Sequence, residues 1–178
     1  MKVDLTKDEV AMAKWVGKRR TTSSKAKGRK DAHGLDPDRT VVKGDEYEVI
    51  GACGEAAVAK LLNRFWFQPA FRDRALGDVG VGIHVRSTIR QEGRLIVHEG
   101  DDPFGGGIFI LVIRDSMLRD NTRWDVVGFI RSEDAKNPVF WADPNTGRPA
   151  FFVGQGALTP ISELMIAWGL VDPEEGVA

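Results

Sequence analysis

A chain of 178 residues, 42% apolar and 29% charged, has the size and composition of one globular domain, able to bury a sizeable core without disulfide or metal staples. Its one cysteine, Cys53, excludes an internal disulfide and fits a reducing compartment. No apolar run approaches the roughly 18 residues of a membrane span, and no apolar signal segment follows Met1-Lys2-Val3-Asp4. The expectation is a soluble protein of the cytoplasm, that of its source cell or of a host. The net charge of −1 hides an asymmetry: residues 1–43 carry 12 Lys/Arg against 6 Asp/Glu, and residues 44–178 carry 13 against 20. A basic leader on an acidic body reads either as a polyanion-binding arm or as a solvated, flexible extension.

In chain order, the first element is a helix. Thr6 and Glu9 form a capping box ahead of Val10, Met12, Ala13 and Val16, and the helix is expected to end near Gly17 to Arg20. The stretch from Lys18 to Lys30 holds seven basic residues (Lys18, Arg19, Arg20, Lys25, Lys27, Arg29 and Lys30), with no acidic and no large apolar side chain. It reads as a loop or arm, followed by irregular chain to residue 45. A second helix, expected from Glu46 to Asn63, carries a broad apolar face and two glycines, Gly51 and Gly54. Each glycine costs a helix roughly 1 kcal/mol against alanine, which points to a packing or site demand. The period then changes to that of strands: Phe71–Leu76, Val81–Thr88, Arg94–His98, Ile108–Arg114, Trp124–Arg131 and Ala150–Val153. Short, turn-rich links such as Gln91-Glu92-Gly93 favour antiparallel neighbours. A last helix is expected from Thr159, with Pro160 in its first turn and Gly169 as its stop. The reading is an α/β (α+β) domain in which a Glu-bearing helix packs on one face of a mainly antiparallel or mixed sheet. It divides into a helix plus basic arm (1–45), the body (46–170) and an acidic tail (171–178).

Four residues attract attention as one constellation. Glu55 lies mid-helix beside Gly54. Asp78 follows Gly77 at the entrance to a strand. On that strand His84, Arg86 and Thr88 share one face, and Ile83, Val85 and Ser87 the other. A helical carboxylate over the His84 face would complete a polar cluster. Each residue also has a plainer reading: Glu55 as a surface or salt-bridged residue, Asp78 as a turn aspartate, and His84 with Arg86 as a solvated strand face. His98, Glu99, Asp101 and Asp102 read as a polar turn. Gly105-Gly106-Gly107 lacks the Lys-Ser/Thr and helix of a phosphate loop. Gln155 lies at a strand end, as a turn residue or a substrate contact, and Cys53 reads as core. The five tryptophans (Trp15, Trp66, Trp124, Trp141 and Trp168) are scattered, which fits core anchors better than a base-stacking platform.

The order Gly-x-x-Gly-Glu-x-x-x-x-Lys-Leu-Leu, then an Asp on a following strand, then a strand with a charged-x-charged pair, resembles the PD-(D/E)xK (restriction-endonuclease-like) superfamily. The longer pattern DVG, VRST, LIV, FILV and GFI is similar to small phage-encoded proteins, over about Gly51 to Leu164. The resemblance implies a nuclease-like core acting on phosphodiester bonds of DNA or RNA. By position, Glu55 would be the helical carboxylate and Asp78 the principal metal ligand. His84 stands at the second acidic position and Arg86 at the lysine position, both departures from the pattern. A divalent cation, Mg²⁺ or Mn²⁺, would be held by Asp78, Glu55 and His84. Arg86 would clamp phosphate but could not serve as a base, because arginine stays protonated; neutral His84 could take the proton instead. Three readings stay open: a metal-dependent nuclease, intact or weakened; a catalytically inactive nucleic-acid- or protein-binding phage factor of the same fold; and an unrelated α/β structural or interaction domain. In the first two, Lys18 to Lys30 would contact phosphates without reading bases.

Overall fold

The structure is a computed structural model that describes residues 1–26, 44–66, 76–118, 120–143, 147 and 149–172. Its elements are β1 (Lys2–Asp4), α1 (Lys7–Ala26), α2 (Gly44–Leu61), β2 (Ile83–Thr88), β3 (Leu95–Val97), β4 (Ile108–Arg114), β5 (Arg123–Arg131), α3 (Ser132–Ala135), β6 (Trp141–Ala142), β7 (Ala150–Val153), β8 (Thr159–Pro160) and α4 (Ile161–Ala167). They form a mixed α+β domain. The main sheet runs β1-β5-β4-β2, with β8 also on β5, and a small sheet runs β3-β7-β6. All pairs are antiparallel except β2 with β4.

The main sheet is covered on both faces. On one, Val85, Ile110, Val112, Trp124 and Val126 pack with Val16 of α1, Ala57 and Val58 of α2, and Leu164 of α4. On the other, Phe109, Leu111, Ile113 and Ile130 pack with Leu95 and Val97 of β3 and Phe151 and Val153 of β7. Strict alternation would send Trp124, Val126 and Phe129 to different faces. The register shift opposite Leu111 and Val112 resets the parity, as a bulge does, so all three face the helices.

The capping box of α1 is formed: the Thr6 N–H donates to Glu9 Oε2 at 2.6 Å and the Glu9 N–H to Thr6 Oγ1 at 3.2 Å. The helix does not stop at Gly17 to Arg20, however; it continues to Ala26, so Lys18, Arg19 and Arg20 are helical rather than part of a loop. Gly17 marks a close approach instead. A Cβ there would sit 2.7 Å from Glu48 O and Val49 Cα of α2, which no neighbour can yield because both are backbone.

The expected link between β2 and β3 as antiparallel partners is not formed. β3 leaves for the small sheet, and the chain returns through it to place β4 parallel to β2. Three short strands escaped the sequence reading. Thr159-Pro160, expected to open the last helix, pairs with β5 first, and α4 begins at Ile161. Of the expected strand Phe71–Leu76 only Leu76 is described, and it lies in no strand; residues 31–43 and the tail from 173 lie outside the described residues. No helix among the described residues is long and apolar enough to cross a membrane.

Candidate functional site

Two buried polar groups flank β2, one on each face of the main sheet. The first is on the helical side. Glu55 accepts from Arg20 at both oxygens, Nη1 to Oε1 at 2.7 Å and Nη2 to Oε2 at 2.6 Å. The indole N–H of Trp66 donates to Oε2 at 2.9 Å. Both members of the ion pair are buried. Arg20 is thus an internal partner of the helical carboxylate, and the expectation that it contacts phosphate is corrected. Burial works to lower its pKa, but the hydrogen bonds and charge of Glu55 hold it above its ordinary value. Gly54, one residue earlier, lets α2 approach β2: a Cβ would lie 2.0 Å from Ser87 Oγ. Gly51 meets no such neighbour, so Gly51 and Gly54 do not share one purpose.

The second group lies on the face toward the small sheet. His84 stacks on Phe109, with ring centroids 4.9 Å apart, and its Nε2 stands 3.7 Å from Asp102 Oδ1. Burial lowers the His84 pKa, a shift that Asp78 and Asp102 oppose and Arg86 reinforces. Neutral His84 is therefore the favoured form. Arg86 lies with its guanidinium 5.2 Å above the Phe109 ring. It donates to Ile96 O at 3.0 Å, to Val85 O at 3.2 Å and to Asp101 Oδ2 at 2.6 Å. Asp101 also accepts from the His98 N–H; burial would raise its pKa, but the Arg86 charge and these bonds hold it below its ordinary value. Asp102 accepts from the Gly107 N–H at 3.1 Å. The turn from His98 to Asp102 is thus fastened to β2 by Arg86 and, through Asp102, to Gly107 just ahead of β4.

Asp78 stands between the two groups, along the edge of β2 that β4 does not cover. Its Oδ2 accepts from the Val85 N–H at 2.9 Å and lies 3.9 Å from Arg86 Nη1. An edge strand leaves every second N–H without a ladder partner, and a buried one must be satisfied elsewhere; Asp78 does this for Val85.

The structure therefore brings Asp78 beside Arg86, and its charge acts both on His84 and on Arg20, the partner of Glu55. The side chains of Ile83 and Val85 face the helices, so those of His84 and Arg86 face away from them, toward Phe109 in the other core. Glu55 and His84, two of the three expected metal ligands, thus lie on opposite faces of the sheet. Among the described residues, no group of three or more His, Cys, Asp or Glu side chains is placed to hold a metal ion.

Other expectations resolve simply. Gln155 is a staple, its amide donating to Gln91 O at 2.7 Å and Gly93 O at 3.0 Å. Cys53 is core, with burial pushing its thiol up to about 12. Of the tryptophans only Trp124 is a fully buried anchor; Trp15, Trp141 and Trp168 are exposed. Lys18 and Arg19 are exposed on α1, while Lys27, Arg29 and Lys30 lie outside the described residues, as does the side chain of Lys25. The sequence reading missed the role of Arg20 because it sits inside a run of cations, where nothing local distinguishes an inward arginine. Its one available signal was the helical period linking it to Ala13, Val16 and Gly17. No family model matches the sequence, and no curated protein or solved structure is significantly similar to it.

Proposed function

We propose that the chain is a restriction-endonuclease-like domain that binds nucleic acid without cutting it. One observation carries the reading: the Glu55 carboxylate is held by Arg20 and Trp66 on the helical face of the sheet, while His84 and Arg86 occupy the other face. Metal-assisted hydrolysis needs a cation that both lowers the pKa of a water and neutralises the scissile phosphate. A Glu55 carboxylate committed to Arg20 and Trp66 and a His84 imidazole on the opposite face do not supply its ligands together. Arg86, with donors directed at Asp101 and two main-chain carbonyls, is a fastener rather than a phosphate clamp.

Binding is supported by charge. The excess of basic residues in the first 43 continues from the exposed Lys18 and Arg19 of α1 into Lys25, Lys27, Arg29 and Lys30. Each phosphate neutralised releases condensed counterions, so affinity falls as salt rises, with a log–log slope of about −0.7 per contact on single strands.

The test is fluorescence anisotropy of labelled strands over a salt series, with and without replacement of Lys18, Arg19, Lys25, Lys27, Arg29 and Lys30 by glutamine. Binding whose salt slope shrinks by up to about 4 in the substituted protein is expected. Affinity indifferent both to salt and to these six residues would count against the reading.

A further inference from the structure

Trp15 lies on the outer face of α1, 53% exposed, while Val10, Ala13, Val16 and Arg20 of the same helix turn inward. The guanidinium of Arg19 lies 5.0 Å over its ring. Lys18 and Arg19 follow Trp15 at i+3 and i+4 on the same helical face, and Lys14 precedes it; all three are exposed. The helix carries its acidic residues, Asp8 and Glu9, only in its first turn, and Glu9 is paired with Lys60. The carboxylate of Asp120, on a neighbouring turn, feels the charge of Lys14.

We infer that this face of α1 is a stacking site for single-stranded nucleic acid, in which a base lies on Trp15 and Arg19 while Lys14 and Lys18 hold the flanking phosphates. The inference rests on the nucleic-acid-binding reading above and adds to it a site and a preference for unpaired strands. A half-exposed indole does little for the core it is turned away from. An aromatic ring with an arginine stacked over it and lysines close by has the chemistry that unpaired bases need: a π surface for the base, a delocalised cation for cation–π contact and ammonium groups for the backbone. Duplex DNA keeps its bases stacked on one another and offers this surface only phosphates. An acidic protein partner would use the lysines but gain nothing specific from the stacked pair.

The experiment measures binding of a labelled oligothymidylate, and of a duplex of equal length, to the unaltered protein, to Trp15→Ala and to Trp15→Phe. Trp15 is exposed, so both variants should fold, which circular dichroism checks. Trp15→Ala should weaken single-strand binding about 10- to 100-fold, the range for loss of one base–aromatic stack. It should barely change duplex binding, and Trp15→Phe should recover most of the loss. Single-strand affinity unchanged in Trp15→Ala, or equal losses for strand and duplex, overturns the stacking site while leaving phosphate binding intact. No binding of either nucleic acid by the unaltered protein overturns the underlying reading and this inference with it, and capture of an acidic polypeptide in its place would assign the face to a protein partner.

Discussion

Arg20 and Glu55, 35 positions apart in the chain, close a bidentate ion pair with both side chains almost wholly removed from water. A pair like this is costly to break from one side, since the survivor stays charged and buried. Arg20→Met or Glu55→Leu alone should each lower the unfolding free energy by about 3–5 kcal/mol. The double substitution should recover a large part of that loss, less what Trp66 forfeits when its indole N–H loses its acceptor. Urea denaturation of the three variants reads this directly; additive losses in the double variant would show that the pair is not coupled as described.

Two glycines should respond to alanine with opposite signs. At Gly17 the new methyl meets the backbone of α2 at 2.7 Å, so Gly17→Ala should destabilise by about 1–3 kcal/mol despite its helix propensity. At Gly51 nothing lies within 4 Å, so Gly51→Ala should stabilise by about 0.5–1 kcal/mol. Thermal melts of both variants test the α1–α2 contact, and a stabilised Gly17→Ala would refute it.

His84 predicts a pH dependence. Burial holds its folded pKa below the ordinary 6.5, so below that pH the unfolded chain takes up a proton that the folded one resists. Stability that is full above about pH 6.5 should decline as the pH falls toward the folded value, because the unfolded state binds more protons there. Asp101, whose pKa is also lowered but from 3.8, contributes only in more acid solution. His84→Leu should flatten the slope just below pH 6.5; an unchanged slope would place the responsible group elsewhere.

Arg86→Lys tests whether the strand arginine is a fastener. Its guanidinium makes three hydrogen bonds at once, to Ile96 O, Val85 O and Asp101, a fork that an ammonium group cannot copy. A loss of about 1–3 kcal/mol is expected, with no metal-dependent cleavage gained. Unaltered stability would mean that these bonds contribute little.

Much of the fold was legible in the sequence. Ile108–Arg114 and Ala150–Val153 were placed to the residue, because short apolar runs between turn residues have few alternatives, and Thr6 with Glu9 announced the start of α1. The partition of strands between two sheets was not legible. Both β2 and β3 alternate correctly, and only tertiary packing sends one to β4 and the other to β7. The site divides in the same way. The shared face of His84 and Arg86 follows from a period of two. Which side of the sheet that face meets depends on where α2 packs, and sequence spacing carries no such information. Trp15 was read with the core tryptophans because a single exposed aromatic on an amphipathic helix has no local mark.

The central claim, association with nucleic acid without hydrolysis, is met most directly by one gel. End-labelled single-stranded DNA is incubated with excess protein and Mn²⁺, and the same samples are run native and denaturing. The account predicts a shifted complex in the native lanes and a full-length strand in the denaturing ones. Shortened products that disappear with Asp78→Asn would contradict it, and would mean that the carboxylates converge on a metal after all.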